Sequence, residues 1–403
     1  MNLAATIAQK IKFTKSQTFS STVHKVGVFS VAIGIGLAII SFSVLLGFKS
    51  AITQKLFNFG GNIQVSKISL NNSAEENAIS LSSKIIKNQS AISGLIDIQY
   101  SANKIGLAKS KTEQVGIILK GIGNSALNKK QFESALVAGR VNETSADSTY
   151  SREIIVSSKI ANTLNIKLNE EIIVIFPPKV RKLRVVGIYE TGLEEIDKNF
   201  IFGDLKLIQK LNGWNTDEIG KFEIFTGKNE TQTYEKVLEN AELYLRVKLV
   251  KNEYPAIFDW LKMLDRNAEI VLILILTVAA FNMISVLIIM MMERTEMIGM
   301  LKTLGGTNGT VKKLFAFIGF KIISQGLFWG NLLAITFCLA QKNFKIIPLD
   351  TANYFIGYVP IEFNFIIIIG LNLLFLIMIS LSIFIPIQII TKMSPLVALK
   401  FRK

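Results

Sequence analysis

The chain has 403 residues, half of them hydrophobic, with 45 Lys and Arg against 30 Asp and Glu and a positive mean hydropathy of +0.42. This apolar content excludes intrinsic disorder, which requires low hydrophobicity. One cysteine, Cys338, and one histidine, His24, exclude a disulfide framework and Cys- or His-built metal clusters, and leave a Ser-His-Asp triad without support.

The apolar residues are concentrated in four runs. Val26–Gly47 is uncharged over 22 residues and Ile270–Met292 over 23; Leu314–Ala340 carries one charge, Lys321, and Phe363–Thr391 none. At about 1.5 Å rise per residue each is long enough to cross a hydrocarbon core of roughly 30 Å, and only a helix satisfies the backbone of an isolated span in lipid. The first run follows a 25-residue lysine-bearing leader and ends in LLGFKS rather than a small-x-small cleavage pattern, so it reads as a retained anchor.

The expected order is a cytoplasmic segment (1–25), the first span (26–47), an exported domain (48–269), the second span (270–292), a cytoplasmic loop (293–313), the third span (314–340), a short external loop (341–362), the fourth span (363–391) and a cytoplasmic tail (392–403). Segments 1–25, 293–313 and 392–403 carry +10 of the net +15, whereas the 222 residues of 48–269 carry only +4. By the positive-inside rule both termini and the 293–313 loop face the cytoplasm. The basic surplus therefore reflects topology and anionic headgroups and does not call for nucleic acid.

Within 48–269, strand-like runs recur at Asn62–Ser66, Gln114–Leu119, Glu153–Val156, Glu171–Phe176, Leu183–Tyr189, Phe222–Phe225 and Leu243–Val250. Helical stretches lie at Ser158–Asn165, Gly203–Leu211 and Glu230–Glu242. The mixture lacks regular strand–helix alternation and predicts an α+β domain inserted between the first two helices of a four-helix membrane protein. Asn71–Ala78 and Asn142–Tyr150 read as exposed loops. Glu194, Glu195 and Asp197 read as an acidic surface turn, and Ser157 and Ser158 lack a nearby base. A binding or gating module fits this domain better than a catalytic one. No phosphate-binding G-x-x-x-x-G-K-[ST] loop occurs, so any ATP used is hydrolysed by a partner.

The 293–313 loop opens with ERTEMIGMLKTLGG, in which Met297, Met300, Leu301 and Leu304 share one helical face and Gly305–Gly306 ends the turn. An amphipathic helix lying along the cytoplasmic surface is expected. Here the sequence resembles the FtsX-like permeases of ABC transporters, whose loop reads E-[KR]-x-x-[DE]-I-[AG]-x-L-[KR]-x-L-G-[AG]. Glu293, Arg294, Ile298, Gly299, Leu301, Lys302, Leu304, Gly305 and Gly306 match; Met297 fills the acidic position, with Glu296 one residue earlier. Leu183–Gly192 (LRVVGIYETG) and Ala280–Ser285 (AFNMIS, with Phe281 and Asn282) resemble segments of the lipoprotein-releasing LolC/LolE type. Leu45–Phe48 looks like the family's exit from the first span, and Ser394–Lys400 matches its P-x-x-A-L-[KR] tail. Pro177–Pro178 stands where such subunits carry a Pro-rich hook for a soluble periplasmic chaperone.

Among single residues, Ser30, Gly34 and Ala38 form a small-residue stripe suited to close helix packing, which in this family would also border the site of lipid-chain entry. Asn282 and Ser285 suit interhelical hydrogen bonds, Lys321 snorkelling toward headgroups, and Asn372 packing inside the fourth span, which Pro386 would kink. The resemblance implies a non-catalytic permease subunit of the bacterial inner membrane that binds no cofactor. ATP and Mg would sit on a cytoplasmic ABC ATPase dimer. A second permease subunit, identical or homologous, would complete the assembly. Its cargo would be a lipoprotein held by its acyl chains between the first two spans and passed to a periplasmic chaperone. At about 0.8 kcal/mol per buried CH₂ such an anchor is worth on the order of tens of kcal/mol, which calls for coupling to hydrolysis. A signalling scaffold acting on cell-wall hydrolases and a MacB-like efflux permease are the alternatives.

Overall fold

The structure is a computed structural model describing residues 18–391, except 70–73, 111–112, 124–131, 134, 143–149, 228, 351–353 and 355. Lys10, Lys12 and Lys15 of the N-terminal segment, the Ser394–Lys400 tail and most of the 142–150 loop lie outside the described residues. In chain order the elements are α1 (Thr18–Gly60), β1 (Ile63–Lys67), β2 (Ile79–Ser80), α2 (Lys84–Lys87), β3 (Leu95–Lys109), β4 (Gln114–Ile122), β5 (Leu136–Gly139), β6 (Glu153–Ser157), α3 (Ser158–Leu164) and β7 (Glu171–Phe176). There follow β8 (Lys179–Tyr189), α4 (Glu194–Asn199), β9 (Phe200–Asp204), α5 (Leu205–Asn212), β10 (Glu218–Ile219), β11 (Lys221–Thr226), α6 (Glu230–Asn240), β12 (Leu245–Leu249), α7 (Pro255–Glu293), α8 (Thr295–Thr303), α9 (Asn308–Phe344) and α10 (Phe365–Thr391). The chain divides into two compact units. One comprises Met1–Ser50, Trp260–Pro348 and Tyr358–Lys403; the other comprises Ala51–Asp259 and Leu349–Gly357.

The first unit is helical. α1, α7, α9 and α10 are long and apolar enough to cross a membrane, and each apolar run lies within a helix that extends past it or nearly coincides with it. Ile35, Ile39, Met283, Leu287, Phe315, Ile322, Phe375 and Ile379 form its buried core. Glycines set the closest approaches: a Cβ at Gly330 would lie 2.3 Å from Ile35 Cγ2 and 2.5 Å from the Ala32 carbonyl oxygen, and one at Gly47 2.3 Å from the Pro360 carbonyl oxygen. Neutral polar side chains bond across the bundle. Asn331 and Asn372 exchange amide hydrogen bonds of 2.7 and 2.9 Å between α9 and α10, and α10 continues as helix through Pro386.

The second unit is built on a ten-stranded mixed sheet in the order β12-β1-β11-β3-β4-β9-β6-β8-β5, with β7 bridging β3 and β8. β4–β9 and β6–β8 are parallel pairs and the remaining pairs antiparallel. Ile63, Val65, Phe222, Ile224, Leu119, Ile154 and Val156 pack with Leu164, Leu207, Ile208 and Val237 of α3, α5 and α6 in one core. The opposite face is polar over β1, β11 and β3 and aromatic farther on, where Phe132, Tyr189 and Phe202 meet Phe59. The strand β3, 15 residues long, is absent from the sequence-based expectation, as are β5 and β9.

On the polar face Lys120 and Glu223 pair at 2.7 Å, both almost fully buried. Ser101 donates to Glu223 at 2.8 Å, Lys221 meets Glu76 at 3.1 Å, and the Asn103 backbone N–H donates to Glu76 at 2.7 Å. Lys120 also donates to the Phe59 carbonyl. Burial opposes ionisation of Glu223, but Lys120 and Lys221 together hold its carboxyl below the ordinary 4.5. Burial likewise opposes the Lys221 charge, which Glu76 and Glu223 nevertheless hold up.

Candidate functional site

α1 presents Val26, Phe29, Ser30, Ile33, Gly34 and Leu37 on one face, at spacings of three and four; α7 presents Leu274, Ile275, Val278, Ala279 and Asn282. The two faces enclose an apolar groove of about 440 Å³ that opens sideways, since Phe29 and Leu274 are 65% and 62% exposed. Its walls converge where Gly34, fully buried, admits the Phe375 ring and Ala279: a Cβ there would lie 3.2 and 3.6 Å from them. The one polar link along it is Asn282 Nδ2 donating to Ser30 Oγ at 2.8 Å. This hydrogen bond joins α1 to α7 and satisfies two groups that would otherwise face hydrocarbon.

The residues singled out from sequence divide. Ser30, Gly34 and Asn282 come together in the groove; Ala38 is buried in the bundle core. Phe281 is exposed, and Ser285 donates to the Phe281 carbonyl of its own helix at 3.0 Å rather than across to another. Leu274 and Val278 were missed, although their spacing from Asn282 already placed them on its face.

Within the 293–306 stretch, Thr295–Thr303 form α8, separated from α7 by Arg294 alone. It ends in a Schellman motif: Gly306 N–H donates to Leu301 O at 2.8 Å and Gly305 N–H to Lys302 O at 3.1 Å, with Gly305 at φ +90. Its buried face differs from the expected one. Ile298 and Gly299 are buried and Leu301 packs on the bundle core, whereas Met300 is 57% and Leu304 86% exposed. With Ile298, Gly299 and Leu301 inward, the buried face is turned by roughly one residue step, about 100°, from the stripe read by hydropathy alone. Glu293 and Glu296 are exposed alongside Met300 and Leu304.

In the sheet unit, Pro177 and Pro178, joined by a cis peptide bond, form the two-residue turn between β7 and β8, closed by the Phe176–Lys179 pair. Both are exposed, and Lys179 donates to the Leu211 carbonyl at 2.7 Å. The acidic turn is only partly a surface feature. Asp197 is buried and accepts from Thr191 Oγ1 at 2.8 Å and from the Thr191 and Gly192 N–H groups at 3.1 and 2.9 Å, tying the end of β8 to α4. Glu194 is exposed, and hydrogen bonds from Lys198 and Lys159 lower its carboxyl to about 2. Ser157 caps α3, accepting from Ile160 N–H at 3.0 Å. Among the described residues, no three His, Cys, Asp or Glu side chains converge as metal ligands would.

Four membrane-length helices with a large mixed α and β domain inserted after the first define a multi-pass membrane protein of the permease class. The MacB-like periplasmic core domain matches residues 28–243, and the FtsX-like permease C-terminal matches 269–395. The chain belongs to the FtsX-like permease family with a MacB-like periplasmic domain. It is 24% identical over 373 residues to the lipoprotein-releasing system transmembrane protein LolC of Neisseria meningitidis, covering 87% of each chain. It is 24% identical over 411 residues to the LolC protein of Buchnera aphidicola, covering 94% of this chain and 93% of the other. The periplasmic region of MacB from Actinobacillus actinomycetemcomitans is similar over 49% of this chain and 93% of its own, at 14% identity and a TM-score of 0.34.

Proposed function

We propose that this ABC permease subunit couples a separate cytoplasmic ATPase to the extraction of lipid-anchored proteins from the inner membrane for delivery to the outer membrane. The observation that carries this reading is the sideways-open apolar groove between α1 and α7. Acyl chains of a lipoprotein in the outer leaflet would enter it laterally, and the Ser30–Asn282 hydrogen bond would mark one fixed point along it. The ATPase dimer would dock on the exposed face shared by Glu293 at the end of α7, Glu296 and Met300 of α8, and Leu304 at its C-cap. Arg294, Ile298, Gly299, Leu301, Lys302, Gly305 and Gly306 would hold that helix in place. Movement of α8 would pass directly into α7, since Arg294 alone separates the two, and so alter the groove. A second permease subunit would complete the assembly, with both termini cytoplasmic. The exposed Pro177–Pro178 turn is the candidate contact for a periplasmic chaperone.

The match to the MacB-like periplasmic core domain supports a second reading, export of a cargo that is never membrane-anchored. The test is release of a triacylated reporter from vesicles holding the chain, its co-purifying ATPase and an acceptor chaperone. ATP-dependent release is expected, falling at least tenfold in Ile33→Trp and Val278→Trp, which fill the groove with apolar bulk, while ATP hydrolysis persists. Hydrolysis with the reporter fully retained in the unaltered complex would overturn extraction and favour the second reading.

A further inference from the structure

On the other side of α1 lies a second groove, of about 420 Å³, between α1 and α9. Its walls are Phe29 from α1 and Trp329 and Leu333 from α9, and its floor is Val28 and Ala32. The floor is shallow because Gly326 and Gly330 bring α9 against α1: a Cβ at Gly326 would lie 2.6 Å from Val31 Cβ. Trp329 and Leu333 stand out from it, 51% and 61% exposed.

One end of this trough is polar and positive. His24 Nε2 and Gln325 Oε1 lie 2.9 Å apart across the two helices and close the floor there. Lys25 lines the same end, and Lys321 stands one helical turn before Gln325 on the same side of α9. Both lysines are exposed, and among the described residues neither forms an ion pair with a carboxylate. From His24 to Ala32 the trough runs about 12 Å along α1. A positive end continuous with an apolar channel, walled by an aromatic ring, complements one molecule best: an anionic headgroup joined to an acyl chain.

We propose that the α1–α9 groove is a binding site for an anionic phospholipid, its headgroup held by Lys25 and Lys321 and one acyl chain laid along Val28, Ala32, Trp329 and Leu333. The α1–α7 groove differs in kind: its polar residues are neutral and bonded to each other, so it takes an acyl chain without selecting a headgroup. The lipid at α1–α9 is a resident one that seats α9 on α1.

Trp329 reports on its own groove. The full chain carrying Trp214→Phe and Trp260→Phe, which leaves Trp329 as the single tryptophan, is reconstituted in phosphatidylcholine with equal mole fractions of brominated phosphatidylglycerol or brominated phosphatidylcholine. Bromine on the acyl chains quenches an adjacent indole. The relative affinity of phosphatidylglycerol is expected to be about fivefold higher for each lysine engaged, and to fall to parity in Lys25→Gln/Lys321→Gln. A tryptophan placed instead at Leu339, an exposed position farther along α9, is expected to show no preference between the two lipids. Equal quenching of Trp329 by both lipids, or a preference that survives loss of both lysines, would overturn the site. Weak quenching by both would also overturn it, by showing the groove covered by protein, such as a second copy of the chain.

Discussion

The sheet unit and the helical bundle both pair polar side chains, but of different kinds. In the sheet, charges are buried: Lys120, Lys221, Glu223 and Glu76, each with an opposite partner, and all but Lys221 with a further hydrogen bond among those described. In the bundle, half-buried or exposed neutral groups are paired between helices, Asn331 with Asn372, Asn282 with Ser30 and His24 with Gln325, while the Lys49–Asp265 ion pair of α1 and α7 is more than a third exposed. The difference follows from the solvent each unit meets while folding. A domain that folds in water can assemble ion pairs from hydrated ions and repay their desolvation with several short contacts. A helix inserted in lipid pays for each charge before its partner arrives, so neutral groups that hydrogen-bond on docking are retained instead.

The largest effect should come from breaking the sheet's network. Glu223→Gln removes the carboxylate that both lysines share and leaves Lys120 charged and buried, a loss of about 3–5 kcal/mol. Hydrogen exchange of β3 and β11 in the full chain would measure it, and an effect below about 1 kcal/mol would mean that water reaches the network. The same carboxyl sets a pH dependence. Its pKa in the folded state lies below the ordinary 4.5, so its contribution is complete above about pH 4.5 and fades as pH falls through the folded value. Protection of β11 should therefore drop on acidification below pH 4.5 in the unaltered chain and change little over that range in Glu223→Gln.

Gly330→Ala probes the bundle with an intermediate effect. Even a methyl would lie 2.3 Å from Ile35 and 2.5 Å from the Ala32 carbonyl, where backbone cannot give way cheaply. Overpacking of this kind costs about 1–3 kcal/mol, read as faster exchange or a lower midpoint for α9. The expected contrast is regional: protection of the sheet strands stays unchanged.

How far each region could be read in the sequence follows the same divide. The four spans were legible because hydrocarbon demands long uncharged runs. The runs Glu171–Phe176 and Glu153–Val156 were legible because they are compact β-branched runs with a clear end. β3 was not: Leu95–Lys109 carries Asp97, Gln99, Ser101, Asn103 and Lys104, and its polar positions make sense only when Glu223, Lys120 and Glu76 arrive from distant strands and a loop. β9 was hidden for a related reason, its five residues passing straight into α5. In the candidate site, Ser30, Gly34 and Asn282 were visible as small and polar interruptions of apolar helices. Their apolar neighbours Leu274 and Val278 looked like any lipid-facing residue, since hydropathy does not separate a groove wall from a lipid-facing wall. Asp197 was misread because its partners are the Thr191 hydroxyl and the backbone N–H groups of Thr191 and Gly192, and the backbone donors leave no side-chain pattern in the sequence.

The smallest expected effect on stability bears most directly on function. Hydropathy alone points to Leu301 as the residue through which α8 meets a partner, but Leu301 packs on the bundle core. Leu301→Asp would therefore perturb folding and contact together and could not tell them apart. Leu304, 86% exposed, and Met300, 57% exposed, separate the two. An aspartate at either position stays in solvent and should shift the thermal midpoint by no more than about 0.5 kcal/mol equivalent. If the exposed face of α8 carries the coupling, Leu304→Asp should nevertheless abolish ATP-dependent reporter release and weaken co-purification of the ATPase. Retained release with an intact ATPase complex would move the coupling contact off α8, and the short α7–Arg294–α8 junction would then be only a membrane-surface connector.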